Sequence, residues 1–181
     1  MLRETLSLAI RLVRSPAAAF DALLATKPYS AVIRLVLAAL APVTAVSLAG
    51  YLPGISRLLL VLLTPPLVFG GWLVWSAVMT VFTRLLGGGG GFLTNLLVYG
   101  YAQVPYILAL PALLAVVAGL LPFDVPAFIL FFLNGWSILL LYIGLARGHG
   151  FSRGRALAAL LGGQMLLPLL LAFLVLAVGG R

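Results

Sequence analysis

The chain has 181 residues, 64% of them apolar and 8% charged, and its mean hydropathy is +1.26. A soluble domain is roughly 45–50% apolar and about 25% charged, and eleven Lys/Arg with three Asp/Glu cannot cover a water-facing surface of this size. Composition therefore excludes a soluble globule, a disordered chain and a nucleic-acid partner, despite an isoelectric point near 10.9. An integral membrane protein remains, and its net charge of +8 reads as a topology signal, because Lys and Arg concentrate in cytoplasmic loops. With no cysteine there is no disulfide framework and no thiolate metal site.

The first 30 residues are expected to form short interfacial helices on the cytoplasmic side. On a helical projection Arg3, Ser7, Arg11 and Arg14 fall within an arc of about 80°, with Leu2, Leu6, Ala9 and Val13 opposite. Such a helix lies in the membrane surface with its arginines toward anionic headgroups. The apolar run from Leu6 to Ile10 is too short for a secretory signal. Ser15 and Pro16 then suit the N-cap and first position of a second helix, whose Phe20, Leu23 and Leu24 share a face and which Lys27-Pro28 closes. This segment reads either as an anchor or as a docking surface for a partner.

Residues 31–181 read as an all-α bundle of five transmembrane helices, near 31–52, 58–83, 95–122, 126–146 and 156–178. The charges Arg34, Arg57, Arg84, Asp124 and Arg147 mark where the chain leaves lipid, and 22 residues at about 1.5 Å each cover a hydrocarbon core of about 30 Å. The five glycines 87–91 are poor helix formers, so the third span is started after them. With a cytoplasmic N-terminus, nine basic residues lie inside and only Arg57 and Arg181 outside, which predicts N-in, C-out. Asp124 falls in a tight outer turn between Pro122 and Pro126.

Polar side chains within spans must face a partner helix or a cavity. Asn95, Tyr99, Gln103 and Tyr106 form one stripe on the third span, and Trp72, Ser76, Thr80 and Thr83 another on the second. Asn134, Ser137 and Gln164 are expected to join them in one buried network, serving either as interhelical glue or as the lining of a substrate path. Thr64-Pro65-Pro66 and Gly70-Gly71 are expected to break the second helix, as in transporters that coordinate ions or substrates on freed carbonyls. The small-xxx-small pairs Gly144/Gly148, Ala158/Gly162 and Ala115/Gly119 suit internal packing or a homo-oligomer.

No ionisable residue sits at mid-membrane depth. His149 belongs to the inner loop 147–155 and Asp124 to the outer side, so they cannot form a catalytic pair, and neither a cofactor nor enzymatic activity is expected. Arg11, Arg14, Arg147, His149, Arg153 and Arg155 are the candidate cytoplasmic contacts to lipid headgroups or a membrane-protein partner.

The order of features resembles the Yip1 family, in its prokaryotic branch. Ser15-Pro16-x-x-x-Phe20 precedes the spans. Gly87–Gly91 leads into Phe92 and Tyr99-Gly100-Tyr101-Ala102-Gln103-Val104-Pro105, and the last inner loop reads Arg147-Gly148-His149-Gly150-Phe151-Ser152-Arg153-Gly154-Arg155. The resemblance implies a five-helix bundle with a cytoplasmic N-terminus. Its eukaryotic members are tied to vesicle traffic and bind Rab GTPases, but the long hydrophilic N-terminal region of those members is missing here, so Rab binding is not carried over. The expected role is non-enzymatic, in membrane organisation or partner interaction at a prokaryotic inner membrane. A permease or lipid-handling protein using the polar stripes is the competing expectation.

Overall fold

The computed structural model describes residues 10–12, 14–51, 57–122 and 124–179, and their regular structure is helical throughout. In chain order the elements are α1 (Pro16–Thr26), α2 (Tyr29–Tyr51), α3 (Arg57–Leu85) and α4 (Phe92–Ala102). A 3-10 segment (Val104–Ala109), α5 (Leu110–Val117), α6 (Asp124–His149) and α7 (Arg153–Gly179) follow. Four stretches are long and apolar enough to cross a bilayer: Tyr29–Val46, Leu59–Leu85, Phe92–Val116 and Asp124–His149. Large apolar side chains such as Val61, Leu67, Phe128, Phe131 and Leu169 point outward, as they must when the solvent is lipid. The chain is a multi-pass membrane protein.

The third of these stretches is 61% buried against 28–33% for the other three, so it is the span that the others surround. Its first half, α4, packs on α2, α3, α6 and α1. Gly100 makes the closest of these approaches possible. A Cβ there would collide with Val32 Cγ2 and stand 3.3 Å from the Trp72 ring.

Ahead of α1, residues 10–12 and 14 are helical, with Leu12 buried and Arg11 and Arg14 exposed. The rest of the expected surface helix, including Arg3, Leu6 and Val13, lies outside the described residues, as does Arg181. Ser15 occupies the N-cap of α1 without a side-chain capping bond, and Pro16 sits in its first turn. Phe20 and Leu23, each 1% exposed, reach into the same core as the spans, so α1 packs on α6 and α4. Lys27 closes α1 in the left-handed region (φ 46°), its N–H donating to the Leu23 carbonyl.

Three expectations need correction. Pro65 and Pro66 lie inside an uninterrupted α3, so the second span is not broken there. Each proline removes one N–H, leaving the Val61 and Leu62 carbonyls without an intrahelical donor, while the Thr64 hydroxyl donates to the Leu60 carbonyl in the same turn. The third span, by contrast, is not one helix over 95–122. It starts at Phe92, tightens to 3-10 geometry after Gln103 and ends at Val117. Pro105 has no N–H for the Tyr101 carbonyl, and its ring crowds the preceding turn. Gly119 (φ +73°) ends α5, and Leu120 N–H returns to the Ala115 carbonyl at 2.8 Å.

The third correction concerns α6, which is longer at both ends than 126–146. Asp124 heads it, a favourable place for an acid at the positive end of the helix dipole. At its other end the helix continues past Arg147 to His149. Of the small-residue pairs, Gly144/Gly148 is used inside the bundle, while Ala158 is exposed and its partner Gly162 works with the adjacent Gly163 instead. Gly144 and Gly148 admit Phe20, Val98 and Thr94, and Gly162 with Gly163 admits Phe82 and Met79.

Space around glycines gives a direct test. Gly100→Ala should cost about 1–3 kcal/mol by overpacking. Gly135, mid-α6 with nothing within 4 Å of where a Cβ would stand, should gain up to about 1 kcal/mol as alanine. Melting of the two purified variants in one detergent should move in opposite directions.

Candidate functional site

At the basic end of the bundle the polar residues of α3, α4 and α6 meet, and the α3 hydroxyls set the pattern. A Ser or Thr hydroxyl in a helix can donate to the carbonyl three or four residues back. Ser76 does so to Trp72 (2.8 Å), Thr80 to Ser76 (2.7 Å) and Thr83 to Thr80 (3.2 Å). Each hydroxyl has a single proton, so Thr80 and Thr83 present lone pairs to α4. Asn95, 1% exposed, meets them with its amide nitrogen, which donates to Thr80 Oγ1 at 3.0 Å and to Thr83 Oγ1 at 3.3 Å.

With Nδ2 committed, the Asn95 Oδ1 turns the other way, and His149 Nε2 lies 3.0 Å from it. An oxygen acceptor there places the proton on Nε2, which leaves Nδ1 of the neutral ring as a lone pair. Donors therefore point in one direction, from His149 through Asn95 to the α3 backbone. Nδ1 itself is buried without a hydrogen-bond partner.

His149 was expected in a flexible inner loop as a surface contact; it is instead the last residue of α6 and 5% exposed. The continued helix carries its ring beneath the glycine segment. Phe151 stacks on the ring at 5.3 Å and 19°. Gly150 (φ +65°) makes the turn that allows this, and Phe151 N–H bonds the Ala146 carbonyl at 3.0 Å. From the other side Gly88 N–H bonds the Thr83 carbonyl (2.8 Å) and Gly89 N–H the His149 carbonyl (3.3 Å).

Two of the five glycines are required by space. A Cβ on Gly88 would come within 2.9 Å of the Thr83 carbonyl oxygen, and one on Gly90 within 2.7 Å of that of Gly148. Backbone atoms cannot swing aside as a side chain would.

The remaining candidates divide by position. Trp72 Nε1 donates to the Leu96 carbonyl (3.2 Å), tying α3 to α4, and Tyr99 packs beside Trp75 with ring centroids 5.7 Å apart. Tyr106 donates to Asn134 Oδ1 at 3.0 Å beside a separate apolar cluster of Val43, Ala109, Leu113 and Leu133. Gln103 is buried between the two groups and hydrogen-bonds neither through its side chain. Ser137 is buried on α6, and Gln164 is exposed on α7.

The single network expected from the stripes is thus two, because the 3-10 segment rotates Tyr106 off the face that carries Asn95. Sequence reasoning missed His149 as a network member. Glycine was the available signal, since the run 87–91 and the pair Gly148 and Gly150 flanking His149 mark backbone that another element can approach closely. Arg11, Arg14, Arg147, Arg153 and Arg155 are exposed, and Arg147 lies 3.7 Å from Asp21 in a half-exposed pair that contributes little. Among the described residues no three His, Asp or Glu side chains gather as metal ligands.

Coupling energies test the two-network arrangement. Asn95→Leu and His149→Phe, measured singly and together by denaturant unfolding, should couple by about 0.5–2 kcal/mol. Asn95→Leu with Tyr106→Phe should be additive within about 0.5 kcal/mol. Gly90→Ala should destabilise by about 1–3 kcal/mol, whereas Gly89→Ala, with open space at its Cβ, should not.

A comparison with curated proteins finds no match, and neither does one with solved structures. Against protein families, the Yip1 domain matches residues 10–178, which takes in every element from the turn before α1 nearly to the end of α7. The chain belongs to the Yip1 family.

Proposed function

We propose that the protein is a non-enzymatic, five-span member of the family that organises the membrane or holds a membrane-protein partner, through a basic face kept on the cytoplasmic side of a prokaryotic inner membrane. The observation that carries this reading is where the buried polar atoms are spent. Both Asn95 amide protons and its oxygen bond side chains of α3 and α6, and the α3 hydroxyls bond their own helix. Groups committed in this way hold helices in register and leave little to coordinate a moving substrate. This weighs against the permease alternative.

Two further observations support it. At 27 residues α7 would extend roughly 40 Å, enough for a fifth crossing. Arg147, Arg153 and Arg155 stand exposed within nine residues at the junction of α6 and α7, with Arg11 and Arg14 exposed before α1. Anionic headgroups and acidic partner surfaces are the natural complements of such a face.

Reporter fusions after residue 20 and at residue 181 test the topology, with a cytoplasmic signal expected only from the first. Cytoplasmic signals from both would remove the odd number of crossings. For the interaction, Arg153→Gln with Arg155→Gln should abolish co-purification of a membrane partner without changing the melting temperature. Solute flux in reconstituted vesicles that is lost in Gln103→Leu would instead establish transport.

A further inference from the structure

A cavity of about 500 Å3 lies at the basic end, outside the His149 network, between the α1–α2 turn, the glycine segment and the end of α6. Its charged lining consists of Lys27 and Arg147, and no carboxylate lines it. Asp21, the acid near Arg147, is 3.7 Å from that guanidinium but does not line the cavity. Lys27 is itself the left-handed residue that ends α1, and its ammonium has no ion-pair partner among the described residues.

The backbone adds donors of the same sense. α4 begins after Gly91, which has no side chain to cap it, and no acid occupies its first turn. The N–H groups of that turn therefore lack intrahelical partners and sit at the positive end of the helix dipole, along the wall formed by Gly91, Phe92 and Leu93. Leu93 and Leu97, one turn apart on α4, and Leu24 of α1 supply the apolar part of the lining. Two cations from separate elements line the cavity and only Arg147 has an acid beside it, so the lining keeps a net positive charge that favours an anion. The volume, within the range of small-molecule sites of roughly 300–1,000 Å3, holds more than a bare inorganic ion.

We propose that this cavity binds a phosphate ester, with Lys27 and Arg147 on the phosphate oxygens and the carbon portion against the apolar wall. Charge-assisted hydrogen bonds from ammonium and guanidinium groups suit a phosphate in this position. The ester is the headgroup of an anionic phospholipid or a small soluble one, and both present the same chemistry to the site. The proposal goes beyond the partner reading and uses neither Arg153 nor Arg155, so either can fail alone.

Native mass spectrometry of the full-length protein in detergent tests it, with phosphatidylglycerol and phosphatidylcholine as probes and glycerol 3-phosphate as competitor. Phosphatidylglycerol should bind in preference to phosphatidylcholine. Its affinity should fall about fivefold in Lys27→Gln and again in Arg147→Gln, remain in Lys27→Arg, and be unchanged in Arg84→Gln, a charge at the same end but outside the cavity. Displacement by glycerol 3-phosphate would assign the site to a soluble ester, and resistance to displacement would assign it to the lipid. Affinity unchanged in both cavity variants, an equal loss in Arg84→Gln, or a loss in Lys27→Arg as large as in Lys27→Gln would overturn the proposal.

Discussion

A carboxamide buried inside a lipid-solvated bundle cannot turn to water, so every group around Asn95 is constrained by its need for partners. The carboxamide has two protons and an oxygen to satisfy, and it sits on the helix that the rest of the molecule encloses. Two threonine oxygens take the protons and a histidine takes the oxygen. That one requirement matches the face α3 turns to α4, the continuation of α6 past Arg147 to His149 and the tautomer of His149. Leaving any of these donors unmatched would cost on the order of 1–3 kcal/mol.

Association of helices in lipid gains nothing from the hydrophobic effect, since the acyl chains are as apolar as leucine. Close contact has to supply the attraction, and the glycines make that contact available. Gly144 accepts the Phe20 ring, Gly100 accepts Val32, and Gly162 with Gly163 accepts Phe82 and Met79. The core cluster that results runs from Leu12 before α1 to Leu160 on α7, so the short first helix is bound into the same interior as the spans. Proline plays two parts. In α3 the Pro65-Pro66 pair is absorbed, with the Thr64 hydroxyl bonded in the same turn, whereas Pro105 coincides with a change of helix type.

The polar end of the bundle is layered. Innermost are the hydrogen bonds among Thr80, Thr83, Asn95 and His149; over them lie Phe151 and the glycine segment; outside those stand the arginines. The cavity beside Lys27 and Arg147 opens in the outer layer and leaves the inner one intact. Such a division lets a bonded interior present a charged surface.

Composition alone decided that this chain lives in a membrane, because its few charges could never solvate it in water, and the long uncharged stretches between them announced helices rather than strands. The positions of Asn95, Thr80 and Trp72 on inward faces were also readable, since helical periodicity is a local property. What only tertiary structure decided is which stripes face each other. Pro105 changes the helix geometry and separates Tyr106 from Asn95, while the pitch of α6 carries His149 out of an apparent loop and into the core. Gln164 shares the chemistry of Asn95 yet ends on the outer surface of α7. Such outcomes depend on how far each helix is turned about its own axis, a quantity set by contacts between residues as far apart as 95 and 149, which no local window of sequence contains.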